Sequence, residues 1–114
     1  MQTIELDIET ERAAHNFVAR LTPHFDLAAA VVFGSRARRC HRPDSDADVA
    51  VVLRGPRGCF LDTKLAMADI AYDVLLETGV LIQPLPVWEG EWDHPERHSN
   101  PGLLQNIHRE GVRL

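Results

Sequence analysis

The spacing of apolar positions changes several times along the chain, and each change marks an element. Between Asp7 and Phe25, Ala14, Phe17, Val18 and Leu21 recur at helical spacing, with Asp7 placed to cap the helix and Pro23 to end it. Leu27 to Phe33 is a continuous apolar run, read as a buried strand stopped at Gly34. A second strand starts among aspartates at Asp46 and becomes wholly apolar up to Leu53; Arg54 to Gly58 is a turn by composition. Leu61, Leu65, Ala68, Tyr72 and Leu75 give a second amphipathic helix over Cys59 to Glu77, with Gly79 as its stop. That stripe is most simply core. Val80 to Trp88 is a third strand, pushed towards a sheet edge or an irregular end by Pro84 and Pro86. A polar loop holding Trp88 and Trp92 follows. Asn100 then caps a last helix, with Pro101 at its first position and Gly111 as its stop. The order helix, strand, strand, helix, strand, helix predicts an α/β (α+β) domain: a small mixed sheet of three to four strands with helices packed on one face.

Composition narrows this picture. A chain of 114 residues, 45% hydrophobic and 25% charged, is expected to form one globular domain over residues 1–114, with no repeat, linker or low-complexity segment. The net charge of −5 argues against direct nucleic-acid binding, which needs a basic face to replace phosphate counterions. A phosphate-bearing ligand must therefore be met by local positive charge or by metal, and Arg36, Arg38, Arg39 and Arg42 are where such charge concentrates. No apolar run follows Met1 and no long apolar segment occurs, so neither export nor membrane spanning is expected. Cys40 and Cys59 lack metal-like spacing and are read as free thiols in a reducing cytoplasm.

The chemistry concentrates between the first two strands. Asp46 and Asp48 stand two residues apart at the start of a strand, where side chains alternate faces, so both carboxylates emerge on one side with backbones roughly 6–7 Å apart. Such a pair can converge on a hard divalent cation, and magnesium completes its octahedron with water and substrate phosphates. Gly34 lets the backbone turn sharply at the first strand's end, and the Ser35 hydroxyl with neighbouring amides can hold phosphate oxygens. Arg36 and Arg38 are placed to neutralise the remaining phosphate charge. Either half alone is weak, since turns favour aspartate for other reasons; their combination between two buried strands is what points to a site. A calcium loop is excluded, because Val49 and Gly55 stand where glycine and an acid are required. A sugar-nucleotide transferase normally needs a larger domain.

The stretch from Gly34 to Val52, with Gly-Ser, ten residues and then Asp-x-Asp, resembles the signature of minimal nucleotidyltransferases (MNT) of the DNA polymerase beta superfamily. The resemblance implies the polymerase beta-like nucleotidyltransferase fold. It also implies phosphate binding by Gly34 and Ser35, catalysis and binding of two Mg²⁺ ions by Asp46 and Asp48, and transfer of a nucleoside monophosphate, AMP from ATP, to an acceptor. The chain departs from the family in two places. Arg39 stands where glycine is common, and Gln83 stands where the superfamily has a third carboxylate. A neutral amide cannot take the acceptor's proton and is a poorer metal ligand. Unless Glu77, Glu89 or Glu91 reaches the site, nucleotide binding should survive better than transfer, and the alternative is a weak or inactive nucleotide- or partner-binding module.

The same resemblance implies a partner, since such proteins commonly pair as antitoxins with helical HEPN toxins, some of which they modify with AMP. The Trp88 to His98 loop and the stripe of Leu103, Leu104 and Ile107 are the expected docking surfaces; a homo-oligomer is also compatible with the sequence. Five of the six histidines, His24, His41, His94, His98 and His108, are read as surface residues, with His41 notable for lying in the charged loop.

Overall fold

A computed structural model describes residues 6–114. Helix α1 spans Ile8–Leu21; Asp7 caps it by accepting from the Thr10 amide at 3.3 Å, and its buried face carries Ala13, Ala14, Phe17 and Leu21. Strands β1 (Leu27–Phe33) and β2 (Ala47–Leu53) pair antiparallel, with Val31 opposite Ala50 and Phe33 opposite Asp48. Helix α2 (Phe60–Thr78) ends where Gly79 enters the left-handed region and its amide donates to the Leu75 carbonyl at 2.8 Å. Its crossover makes β3 (Ile82–Trp88) parallel to β2. Pro84 and Pro86 are tolerated because β3 is an edge strand, as their positions predict. Helix α4 (Pro101–Glu110), capped by Asn100, leads into the two-residue β4 (Val112–Arg113), which completes a mixed sheet of order β3-β2-β1-β4. Cys40 and Cys59 are free and exposed. No helix among the described residues is long and apolar enough to cross a membrane.

The segment read as a polar loop is more regular than expected. It forms a short helix α3 (Glu89–Asp93) and a 3-10 turn at Pro95–Arg97. Glu91 accounts for the first: its carboxylate, 8% exposed, accepts from the Trp88 amide at 3.4 Å and lies 3.5 Å from the Arg57 guanidinium.

Both faces of the sheet are covered, which corrects the one-faced packing read from the sequence. Helices α1 and α2 lie on the face that carries Ala30, Val32, Val49 and Val51, while Leu104 and Ile107 of α4 pack on the opposite face against Val31, Ala50 and Val87. The signal was present in β2, where neighbouring positions are apolar on both sides, the pattern of a strand with no solvent face. Docking through α4 is corrected by the same observation, because its apolar stripe is spent on the chain's own core. Trp88 is likewise only 5% exposed, and Trp92 stacks on His108 with ring centroids 3.9 Å apart.

Helix α2 is rotated relative to the expected register. It buries Met67, Ala71 and Val74, and leaves Leu61, Leu65, Tyr72 and Leu76 between 57% and 69% exposed. The helix is apolar on two faces, so periodicity alone could not choose between them. Two substitutions separate the faces. Leu104→Ala should cost about 2–5 kcal/mol in urea denaturation, whereas exposed Leu65→Ala should stay within about 0.5 kcal/mol; equal losses would contradict the packing.

Candidate active site

The turn after β1 is shaped by Gly34, whose φ of +74° is left-handed. A side chain there would also collide with the Asp48 carboxylate, so that carboxylate rests directly against the Gly34 backbone. The Arg38 amide donates to the Gly34 carbonyl at 3.2 Å and the Cys40 amide to the Ser35 carbonyl at 3.0 Å, closing a helix-like turn. Among the described residues, the amide of half-buried Ser35 donates to no backbone carbonyl, whereas Arg36 and Ala37 beside it are fully buried. A free, accessible amide at the start of such a turn is suited to an anion.

Asp46 and Asp48 meet this turn from β2, on the sheet face that α4 only partly covers. The site therefore lies where the end of β1 meets the start of β2, and the edge strand β3 contributes Gln83, Pro84 and Leu85 to it. Asp48 pairs in register with Phe33 on β1 and with Gln83 on β3. Gln83 Nε2 donates to Asp46 Oδ2 at 3.1 Å, which puts the amide in the place of the expected third carboxylate. Burial, then the charge of Asp46, hold the Asp48 carboxyl above its ordinary range, with Arg38 pulling the other way. Two adjacent carboxylates, one of them partly desolvated, are a donor set that fits a hard divalent cation such as Mg²⁺. No third His, Cys, Asp or Glu joins them among the described residues. Glu77 is bonded to Arg20, Glu91 is held by Trp88 and Arg57, and Glu89 lines a separate cavity beside Arg54 and Arg113.

A crevice of about 290 Å³ is lined by Asp46, Asp48, Gln83, Lys64, Pro84 and Leu85 together with Phe33 and Leu103. Phe33 and Leu103 also wall an adjoining cavity of about 220 Å³, whose other lining residues are Gly34, Arg38, Asn106, Ile107 and Glu110. Arg38 faces this second space, with its guanidinium 3.5 Å from Glu110. Lys64 was missed by the sequence reading. It is the only lysine in the chain, and its phase on α2, between the buried and exposed faces, places it at the cleft once the buried face is known.

Arg36 does not stand where a phosphate ligand was expected. It is fully buried, and its guanidinium donates to the Thr10 hydroxyl at 2.8 Å, the Ser45 carbonyl at 3.0 Å and the Pro43 carbonyl at 3.3 Å. It ties both ends of the loop to α1, and so sets Asp46 relative to Gly34. Asp7 closes the network, accepting from Thr10 Oγ1 at 2.5 Å and standing 3.5 Å from His41 Nε2. Burial raises the Asp7 carboxyl, but hydrogen bonds from Thr10 and the charges of His41 and Arg36 outweigh it and hold the group below its ordinary range.

The model of the family "Polymerase beta, Nucleotidyltransferase" matches residues 16–83, a stretch that contains the Gly34 turn, both aspartates and Gln83. The chain belongs to this nucleotidyltransferase family. Its fold agrees: a nucleotidyltransferase candidate from Sulfolobus solfataricus, known from its crystal structure, superposes with a TM-score of 0.57 over 92% of this chain and 81% of that one, at 21% identity. No curated protein matches the sequence. In this family member, Arg36→Met should strand a buried hydroxyl and two carbonyls and cost about 2–4 kcal/mol in urea denaturation. Arg36→Lys should recover only part of it, because an ammonium cannot span three acceptors. A loss under about 0.5 kcal/mol for Met would remove the clamp from the account.

Proposed function

We propose that the protein transfers a nucleoside monophosphate, AMP from ATP, to a hydroxyl of an acceptor. The observation that carries this reading is that Asp48 rests against the Gly34 backbone, where the crevice lined by Asp46 and Asp48 adjoins the cavity lined by Gly34 and Arg38. The Ser35 amide and hydroxyl, Arg38 and Lys64 would supply donors for the triphosphate. Asp46 and Asp48 would hold Mg²⁺, which when bound neutralises charge that develops on the triphosphate. The acceptor oxygen forms a bond to the α-phosphorus as the bond to the bridging oxygen breaks, and pyrophosphate leaves. The hydroxyl proton must go to a base, and Gln83 cannot take it.

That last point supports a second reading, a module that binds nucleotide and partner but turns over slowly. On either reading the acceptor is supplied by another molecule, and a helical HEPN-type protein, with this chain as antitoxin in the cytoplasm, is the candidate we put forward from the family resemblance. The test uses ATP labelled at the α-phosphate, Mg²⁺ and a cell extract. Wild type should label an acceptor and Asp46→Ala should not; equal labelling by both would end the transferase reading. Gln83→Asp should raise the rate by roughly 10²-fold, the scale of a restored general base. Nucleotide binding with no labelling by wild type, and labelling gained by Gln83→Asp, would select the second reading.

A further inference from the structure

The solvent face of α2 gathers most of the large apolar side chains that the described residues expose. Leu61, Leu65, Tyr72 and Leu76, with Ala68 among them, follow one stripe, and the four large residues are 61%, 57%, 58% and 69% exposed. Together they present an apolar patch on the order of 400 Å², the size of the largest apolar patch on a monomeric protein, which is often functional. The patch runs along about four helical turns, roughly 22 Å. One flank is acidic: Asp62, Asp69 and Asp73 are all exposed, and none makes an ion pair among the described residues. The only base on the helix, Lys64, lies on the opposite flank, where α2 borders the crevice.

We infer that this stripe is the docking surface for an amphipathic helix of a partner protein, one with an apolar ridge and a flank of Lys or Arg. Charge decides against a second copy of this chain. Self-pairing through α2 would bring in three more unpaired aspartates against one lysine, in a chain already at −5. Area decides the same way, because a stable dimer needs about 800 Å² from each partner, twice what the stripe offers, whereas a single laid-down helix matches it. The partner helix would run along α2 with its basic flank over Asp62, Asp69 and Asp73, on the side away from Lys64 and the crevice. The inference goes beyond the transfer reaction and does not depend on it.

The test uses two synthetic helical peptides of roughly 18 residues, one turn longer than the stripe. They share a leucine ridge and differ in having Arg or Glu along the flank. Binding to the full chain is followed by NMR shift mapping and anisotropy, at low and high salt. The Arg peptide should bind with shifts centred on Leu61 to Leu76, at least tenfold more tightly than the Glu peptide, and should weaken several-fold as salt screens the pairing. Leu65→Ser with Leu76→Ser should abolish binding without changing the melting curve, since both side chains are exposed. Should that variant misfold, Asp69→Arg with Asp73→Arg provides an independent check, because it should reverse the preference between the peptides. Asp46→Ala should bind the Arg peptide as wild type does, which separates docking from transfer. Equal binding of the two peptides, no binding of either, or a wild-type dimer that Leu65→Ser dissolves would overturn the proposal.

Discussion

A buried cation organises this protein. Arg36 has no solvent exposure, and each of its three guanidinium nitrogens donates within the fold: to Thr10 on α1, and to the Pro43 and Ser45 carbonyls at the far end of the loop in which Arg36 itself lies. Burying a guanidinium is costly unless it is hydrogen-bonded and electrostatically compensated. The three acceptors and the nearby Asp7 carboxylate meet that condition. The consequence is geometric. The loop between β1 and β2 would otherwise be free to vary, yet its two ends carry the two halves of the site. Holding Ser45 to Arg36 holds Asp46 near the Gly34 turn, and the clamp sits outside the crevice that it shapes.

The sheet supplies the second constraint. With α1 and α2 on one face and α4 on the other, polar groups are accommodated where that cover ends, at the start of β2. Asp48 occupies that place, against the bare backbone of Gly34 and beside Gln83 in the parallel register with β3. The register that should bring a third carboxylate to the metal brings an amide, which donates to Asp46. The site thus sets two adjacent carboxylates beside the Gly34 turn and an amide, which cannot take a proton, where a third carboxylate was expected.

Much of this was legible in the chain. Asp7, Asn100 and Gly79 act as read because capping chemistry is local, and the Gly34 to Asp48 motif was legible because its parts lie close in sequence. The readings that failed depend on what lies across space. Arg36 and Arg38 look alike in sequence, and only the position of Thr10 on a separate helix turns the first inward. Helix α2 carries apolar residues on two faces, so which of them meets the sheet is settled by packing. The stripe on α4 was legible as apolar, but the sheet face it covers was not. Lys64 gave no motif at all, since its place at the cleft follows from the phase of α2 once the buried face is known.

The central claim is that Asp46 and Asp48 act together, against the Gly34 turn, as one cation site completed by a nucleotide's phosphates. It is tested most directly by Mn²⁺ electron paramagnetic resonance, with the metal standing in for Mg²⁺ and a non-hydrolysable ATP analogue present. Wild type should bind Mn²⁺ far more tightly with the analogue than without it, and Asp46→Asn or Asp48→Asn should each abolish that gain in a folded protein. Undiminished, analogue-dependent binding in the double variant would contradict the account.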